Sequence, residues 1–127
     1  AHGVVVPKPA SVTDKLAAAD PEKGRIFFEE NCTYCHYVGP HPGRNHGPNL
    51  WGVVGREKAS MTDAPSSQVL RDWGGVWTYE DLNTYLYGPT FTKPGGLMEV
   101  PSIPDDNTRA DLIAYLRTLS DAPVPLP

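Results

Sequence analysis

Cys32-Thr33-Tyr34-Cys35-His36 decides how the rest of this chain is read. Two thiols separated by two residues and followed at once by histidine form the C-x-x-C-H pattern of c-type haem attachment. Each thiol adds to a vinyl group of the porphyrin, and the histidine is then held under the iron as an axial ligand. Three other readings stand beside it. A redox-active disulfide favours a strand before the pair and a helix after it, whereas here a helical pattern precedes and a Pro/Gly-rich stretch follows. A zinc site would recruit His41 and His46, although the gap from Cys35 is much shorter than the roughly 12–15 residues of Cys2His2 fingers. A structural disulfide across two residues closes too small a loop to stabilise much.

If haem is bound, a six-coordinate iron needs a second axial ligand, usually methionine or histidine. Met61, Met98, His2, His41 and His46 are the candidates. Met98 closes Lys93-Pro94-Gly95-Gly96-Leu97-Met98, a stretch unable to be helix that lies between two helical patterns and suits a loop laying a thioether against iron. Met61 lies in a polar run from Ala59 to Ser67 that reads as solvent-facing. The alternative for any methionine is gap-filling in a core.

Composition agrees with a bound group. Only 39% of the 127 residues are hydrophobic, and 14 prolines and 12 glycines leave few positions for regular elements. Globular chains usually reach about 45–50% apolar residues with glycine counted, a level this chain reaches only through its glycines, so the polypeptide core alone is thin. No apolar run approaches the roughly 20 residues of a membrane-spanning helix. The net charge of -4, with scattered basic residues, disfavours nucleic acid and anionic membrane as partners. A first residue of Ala1 fits an export signal removed after small residues.

Three helices are expected. The first starts at Asp20 as N-cap with Pro21 in the first turn, runs to about Asn31, and takes its apolar side from Ile26, Phe27 and Phe28. Gly24 inside it costs about 1 kcal/mol relative to alanine, which points to a close neighbour. The second follows Trp77, where Thr78 and Asp81 have reciprocal-cap spacing, and ends at Gly88-Pro89. The last opens from the cap cluster Asp105 to Thr108 and presents Leu112, Ile113, Leu116 and Leu119, with Arg117 near its negative end. No convincing β pattern or internal repeat appears.

With those residues in view, the chain resembles the class I, mitochondrial-type c-type cytochromes, as a bacterial periplasmic member. The match runs from Asp20 to about Leu119 through Gly24 and Phe28, Cys32 to His36, Gly47-Pro48-Asn49-Leu50, Gly55-Arg56, Trp77, Tyr85-Leu86, Pro89, Pro94-Gly95 with Met98, and Asp111 to Leu116. It implies an all-α fold of three to five helices around one covalent haem c, with the N- and C-terminal helices crossing near Gly24 and Phe28 packing on Tyr115. It implies a domain at 20–120, flanked by an extension at 1–19 and a proline-rich tail at 121–127. Both flanking segments wrap the domain, contact a partner or stay disordered.

The same resemblance implies metal ligands His36 and Met98 and a cofactor site that also includes Cys32, Cys35, Pro48, Leu50, Arg56, Trp77, Tyr85 and Leu86. The Pro48 carbonyl would accept from the His36 ring. Arg56 and the Trp77 indole would meet a buried propionate. Tyr85 would lie near the Met98 sulfur, and Leu50, Leu86, Leu112 and Leu116 would line a dry pocket. The basic ring around the haem edge of mitochondrial-type proteins is absent: the matching positions are Ile26, Asn31, Asn45, Thr90, Phe91, Leu97, Pro104 and Asp105. Ser66 and Ser67 replace two hydroxyl residues of the propionate loop.

The expected function is a soluble one-electron carrier without catalytic residues, an electron-transfer protein and not an enzyme. It would run from a periplasmic dehydrogenase to a terminal oxidase or another acceptor, docking through Ile26, Phe91, Leu97 and Val100. The alternatives are a subunit or domain of a larger oxidoreductase, and a haem peroxidase or gas sensor in which Met98 is displaced.

Overall fold

A computed structural model describes residues 9–31, 50–58, 68–88 and 103–127. Five helices occur among them: α1 (Thr13–Leu16), α2 (Pro21–Asn31), α3 (Gln68–Trp73), α4 (Tyr79–Tyr87) and α5 (Asp106–Thr118). The fold is all-α. Among the described residues the only β pairing is one antiparallel bridge between Glu57 and Val76. No described helix is long and apolar enough to cross a membrane.

The caps behave as side-chain chemistry requires. Asp20 Oδ1 accepts the backbone N–H of Glu22 at 2.9 Å, which satisfies an orphan donor at the start of α2. Asp105 accepts from Thr108 N at 2.8 Å and is the member of its polar cluster that caps α5. Thr78 Oγ1 accepts from Asp81 N at 3.0 Å at the start of α4. The reciprocal half of that cap is replaced, because the Asp81 carboxylate turns instead to the ammonium of Lys58 at 2.7 Å.

Helices α2 and α5 make the principal packing contact. A Cβ on Gly24 would lie 2.0 Å from the carbonyl oxygen of Asp111 and 2.9 Å from the Tyr115 Cβ, so the backbones meet where only glycine fits. Phe28, one turn on, is buried and tilts against Tyr115 with ring centroids 5.6 Å apart. Asp111 reaches back from α5 to accept the N–H of Asp20 at 2.8 Å. The apolar side expected of α2 needs one correction: Ile26 is 45% exposed. Three consecutive helical residues sweep about 200°, and the Gly24–Phe28 stripe that faces α5 leaves Ile26 outside it.

The described residues before α2 and after α5 join this core. Val12, just before α1, and Leu16, its last residue, are buried. The Glu80 carboxylate accepts from the hydroxyls of Ser11 and Thr13 and from the N–H groups of Val12 and Thr13. At the neighbouring position the Tyr79 hydroxyl donates to the Val124 carbonyl at 2.6 Å, which also takes the Arg117 Nε–H at 2.7 Å. The first turn of α4 therefore holds the N-terminal segment on one residue and the tail on the next. Arg117 lies in the last turn of α5, as expected, and also holds the tail.

Beneath the N-terminal segment, Arg109 is fully buried, and each of its three nitrogens is hydrogen-bonded. Its Nε donates to Asn83 Oδ1 at 2.8 Å, and Nη1 donates to the carbonyls of Ile103 and Pro104 at 2.8 and 3.0 Å. Its Nη2 meets Asp106, and Asn83 in turn donates to the Ala10 carbonyl at 2.8 Å. A buried guanidinium is tolerable only when its donors are satisfied in this way.

Candidate functional site

Of the residues expected to hold haem, Cys32, Cys35, His36, Pro48 and Met98 lie outside the described residues, as do Phe91, Leu97 and Val100. The alternative zinc ligands His41 and His46 also fall there. Leu50, Arg56, Trp77, Tyr85 and Leu86 are described, with Trp77 and Tyr85 buried, Leu50 and Leu86 packed against the core, and Arg56 paired to Trp77 through the backbone.

Helix α2 ends at Asn31, immediately before Cys32, with its position fixed by the α5 crossing. Leu50 is partly buried against the core where the chain returns. The Leu86 carbonyl accepts the N–H of Ile103 at 3.1 Å, pinning together the two flanks of the segment that carries Met98.

Arg56 and Trp77 are locked side by side by their backbones. Trp77 N donates to Arg56 O at 2.8 Å, and Gly55 N donates to Trp77 O at 2.8 Å. The Arg56 side chain is half-buried, with one guanidinium nitrogen 3.4 Å from the Trp51 carbonyl. Gly55 has φ +85°, a conformation that suits glycine, and Val124 of the tail packs 3.1 Å from where a Cβ would stand. The tail thus braces the turn that presents Arg56.

Trp77 is 7% exposed and meets Tyr85 edge-on at 5.3 Å, with Trp73 closing the cluster at 5.6 Å from Trp77 and 6.4 Å from Tyr85. Such pairs are worth about 0.5–1.5 kcal/mol beyond their burial. Among the described residues neither the Trp77 indole N–H nor the Tyr85 hydroxyl has a hydrogen-bond partner. Burial pushes the Tyr85 phenol up to about 12. A buried donor costs about 1–3 kcal/mol if nothing accepts from it, so the acceptors of these two groups lie beyond the described residues. The carboxylates of a haem would be acceptors of the right kind. The aromatic cluster, the two leucines and the cation of Arg56 fit haem.

Lys58 and Trp73 were not among the expected site residues. For Trp73 there was a signal in Trp73-Gly74-Gly75-Val76-Trp77, two indoles either side of a tight turn with φ +69° and +75° at its glycines. For Lys58, between Glu57 and Ala59, the sequence carries none.

Comparison with known proteins agrees with this geometry. The family model described as Cytochrome c matches residues 21–120. A cytochrome c homolog from Bradyrhizobium diazoefficiens is 39% identical over 113 residues, covering 88% of this chain and 61% of that protein. A cytochrome c homolog from Rickettsia typhi is 33% identical over 114 residues, 90% of this chain and 65% of that protein. Cytochrome c from Theileria annulata is 38% identical over 101 residues, 80% of this chain and 87% of that protein. The chain thus spans less than two thirds of the length of the two bacterial homologs.

Proposed function

Because the chain belongs to the cytochrome c family, whose members bind a covalently attached c-type haem and transfer electrons rather than act as enzymes, we propose that it is a one-electron carrier with a single haem c ligated by His36 and Met98. The observation that carries this reading is the pair of buried donors on Trp77 and Tyr85 left without partners among the described residues. When bound, haem supplies an iron that takes up and gives back one electron.

The chain's own residues do the rest. Cys32 and Cys35 hold the ring through thioether bonds. His36 is kept in one tautomer by the Pro48 carbonyl, as second-shell partners keep metal-bound imidazoles. The Trp77 indole and the Arg56 guanidinium offset the cost of burying a propionate. Leu50 and Leu86 exclude water, and a dry His/Met environment favours a comparatively high potential. Haem attached to purified, natively expressed protein adds its mass to the intact chain. An unmodified mass would remove the basis of the proposal.

For partners, we propose redox proteins of the periplasm, a dehydrogenase as donor and an oxidase or other acceptor. Docking rests on apolar contact at the haem edge. The exposure of Ile26, and the absence of basic residues at the exposed Pro104 and Asp105, support that choice. Association rates are then expected to change little with ionic strength. A steep fall with added salt points to charge steering instead.

A further inference from the structure

Lys58 sits in a polar stretch and reads as a solvated side chain, yet it is 4% exposed. An ammonium has three donors, and all three are used. Its Nζ donates to the carbonyls of Gly74 at 2.8 Å and Val76 at 3.1 Å and to Asp81 Oδ2 at 2.7 Å. The same nitrogen lies 4.5 Å from the centre of the Trp73 ring and 5.2 Å from that of Trp77. The Lys58 backbone is also fixed, its N–H donating to Gly75 O at 2.9 Å.

A buried ion pair is weak ground for stability, since well-packed apolar residues in its place are often as stable or more so. The charge therefore calls for another role, and the residue it faces suggests one. Trp77 is the buried indole whose N–H has no partner among the described residues. A cation against an indole is attracted to the ring's electron-rich face and draws density from it. An indole polarised in this way has a more positive N–H and is a stronger donor.

We infer that Lys58 is a positioning residue of the haem site, acting through Trp77. Its ammonium, held by Asp81 and two turn carbonyls, fixes the indole and strengthens the hydrogen bond it offers to a haem carboxylate. The inference rests on the carrier reading above. It gives Lys58 and Asp81 opposite effects on the iron. A stronger donor on the carboxylate withdraws negative charge from the ring and favours the reduced state, and the Asp81 carboxylate weakens that cation.

The test uses the haem-loaded protein and two variants. Lys58→Met keeps the length of the side chain and removes the charge. Asp81→Asn keeps an acceptor for the ammonium and removes the countercharge. At the solution potential where the parent is half reduced, the reduced-to-oxidised ratio should fall about threefold or more in Lys58→Met and rise about twofold in Asp81→Asn. In the reduced protein the Trp77 indole N–H should exchange with solvent faster in Lys58→Met, and its proton resonance should move.

An unchanged ratio in a folded Lys58→Met protein would overturn the inference. So would a changed ratio with an unmoved indole resonance, which would mean that the charge acts directly and not through Trp77. If Lys58→Met fails to fold, Asp81→Asn decides: a rise with a shifted Trp77 indole resonance supports the role, and no change, a fall or an unmoved resonance overturns it. A parent protein without a reversible one-electron couple would instead remove the carrier reading, and the role of Lys58 with it.

Discussion

Gly24 shows how one missing side chain fixes the geometry of the protein. Alanine is the better helix former by about 1 kcal/mol. Its methyl group at this position would stand 2.0 Å from the Asp111 carbonyl oxygen and 2.6 Å from its carbon, atoms that belong to the backbone of α5 and cannot turn aside. The two helices would have to separate, which loosens the contact between Phe28 and Tyr115. Gly24→Ala is therefore expected to destabilise the protein by about 3 kcal/mol net. Equilibrium denaturation measures it, and a variant as stable as the parent would show that the crossing is not tight. That a neighbour lies close to Gly24 was legible in the sequence, because glycine inside a good helical pattern needs a reason. Lys58 was not legible. Its acceptors at Gly74, Val76 and Asp81 are remote in sequence and meet it only once the turn at Gly74-Gly75 has closed.

The helices themselves were largely readable from their caps, since Asp20, Thr78 and Asp105 announce their starts through chemistry that acts over two or three residues. Helix α1 escaped notice because its four residues have no side-chain cap and are held by tertiary contact alone. Glu80 supplies much of that contact and makes it sensitive to acid. Burial taken alone would raise the Glu80 carboxyl, but hydrogen bonds from Ser11, Thr13 and the backbone at Val12 and Thr13 outweigh it and hold the group below the ordinary carboxylate value. A lowered folded value means that the stabilisation is complete above the ordinary carboxylate pKa and is lost as pH falls through the lowered one. Acidification should thus release residues 11–13 from α4, seen as faster amide exchange at Val12 and Thr13 relative to α5. Glu80→Gln should weaken the attachment at neutral pH by about 1–2 kcal/mol and flatten its acid dependence. Equal loss of protection in parent and variant at the same pH would contradict this account of the clamp.

The described residues form a set of short helices tied by α2 crossing α5, with residues 11–13 and Val124 fastened to the first turn of α4. The thin polypeptide core inferred from a 39% hydrophobic fraction is explained if a large apolar ring completes it. Of the site, the motif residues Cys32, Cys35 and His36 are the most legible part because their spacing is itself the chemistry. Met98 is proposed as the second ligand on the composition of its loop. Arg56 and Trp77 needed the family resemblance, since nothing local in the sequence reveals that their backbones pair. The absorption spectrum of the haem-loaded protein, recorded oxidised and then reduced under carbon monoxide, examines the coordination on which the carrier reading stands. With His36 and Met98 on the iron, the oxidised protein shows the far-red sulfur-to-iron band, Met98→Ala loses it, and the reduced parent does not take up carbon monoxide readily. A missing band together with prompt carbon monoxide binding by the parent would contradict the account and point to an iron open to exogenous ligands.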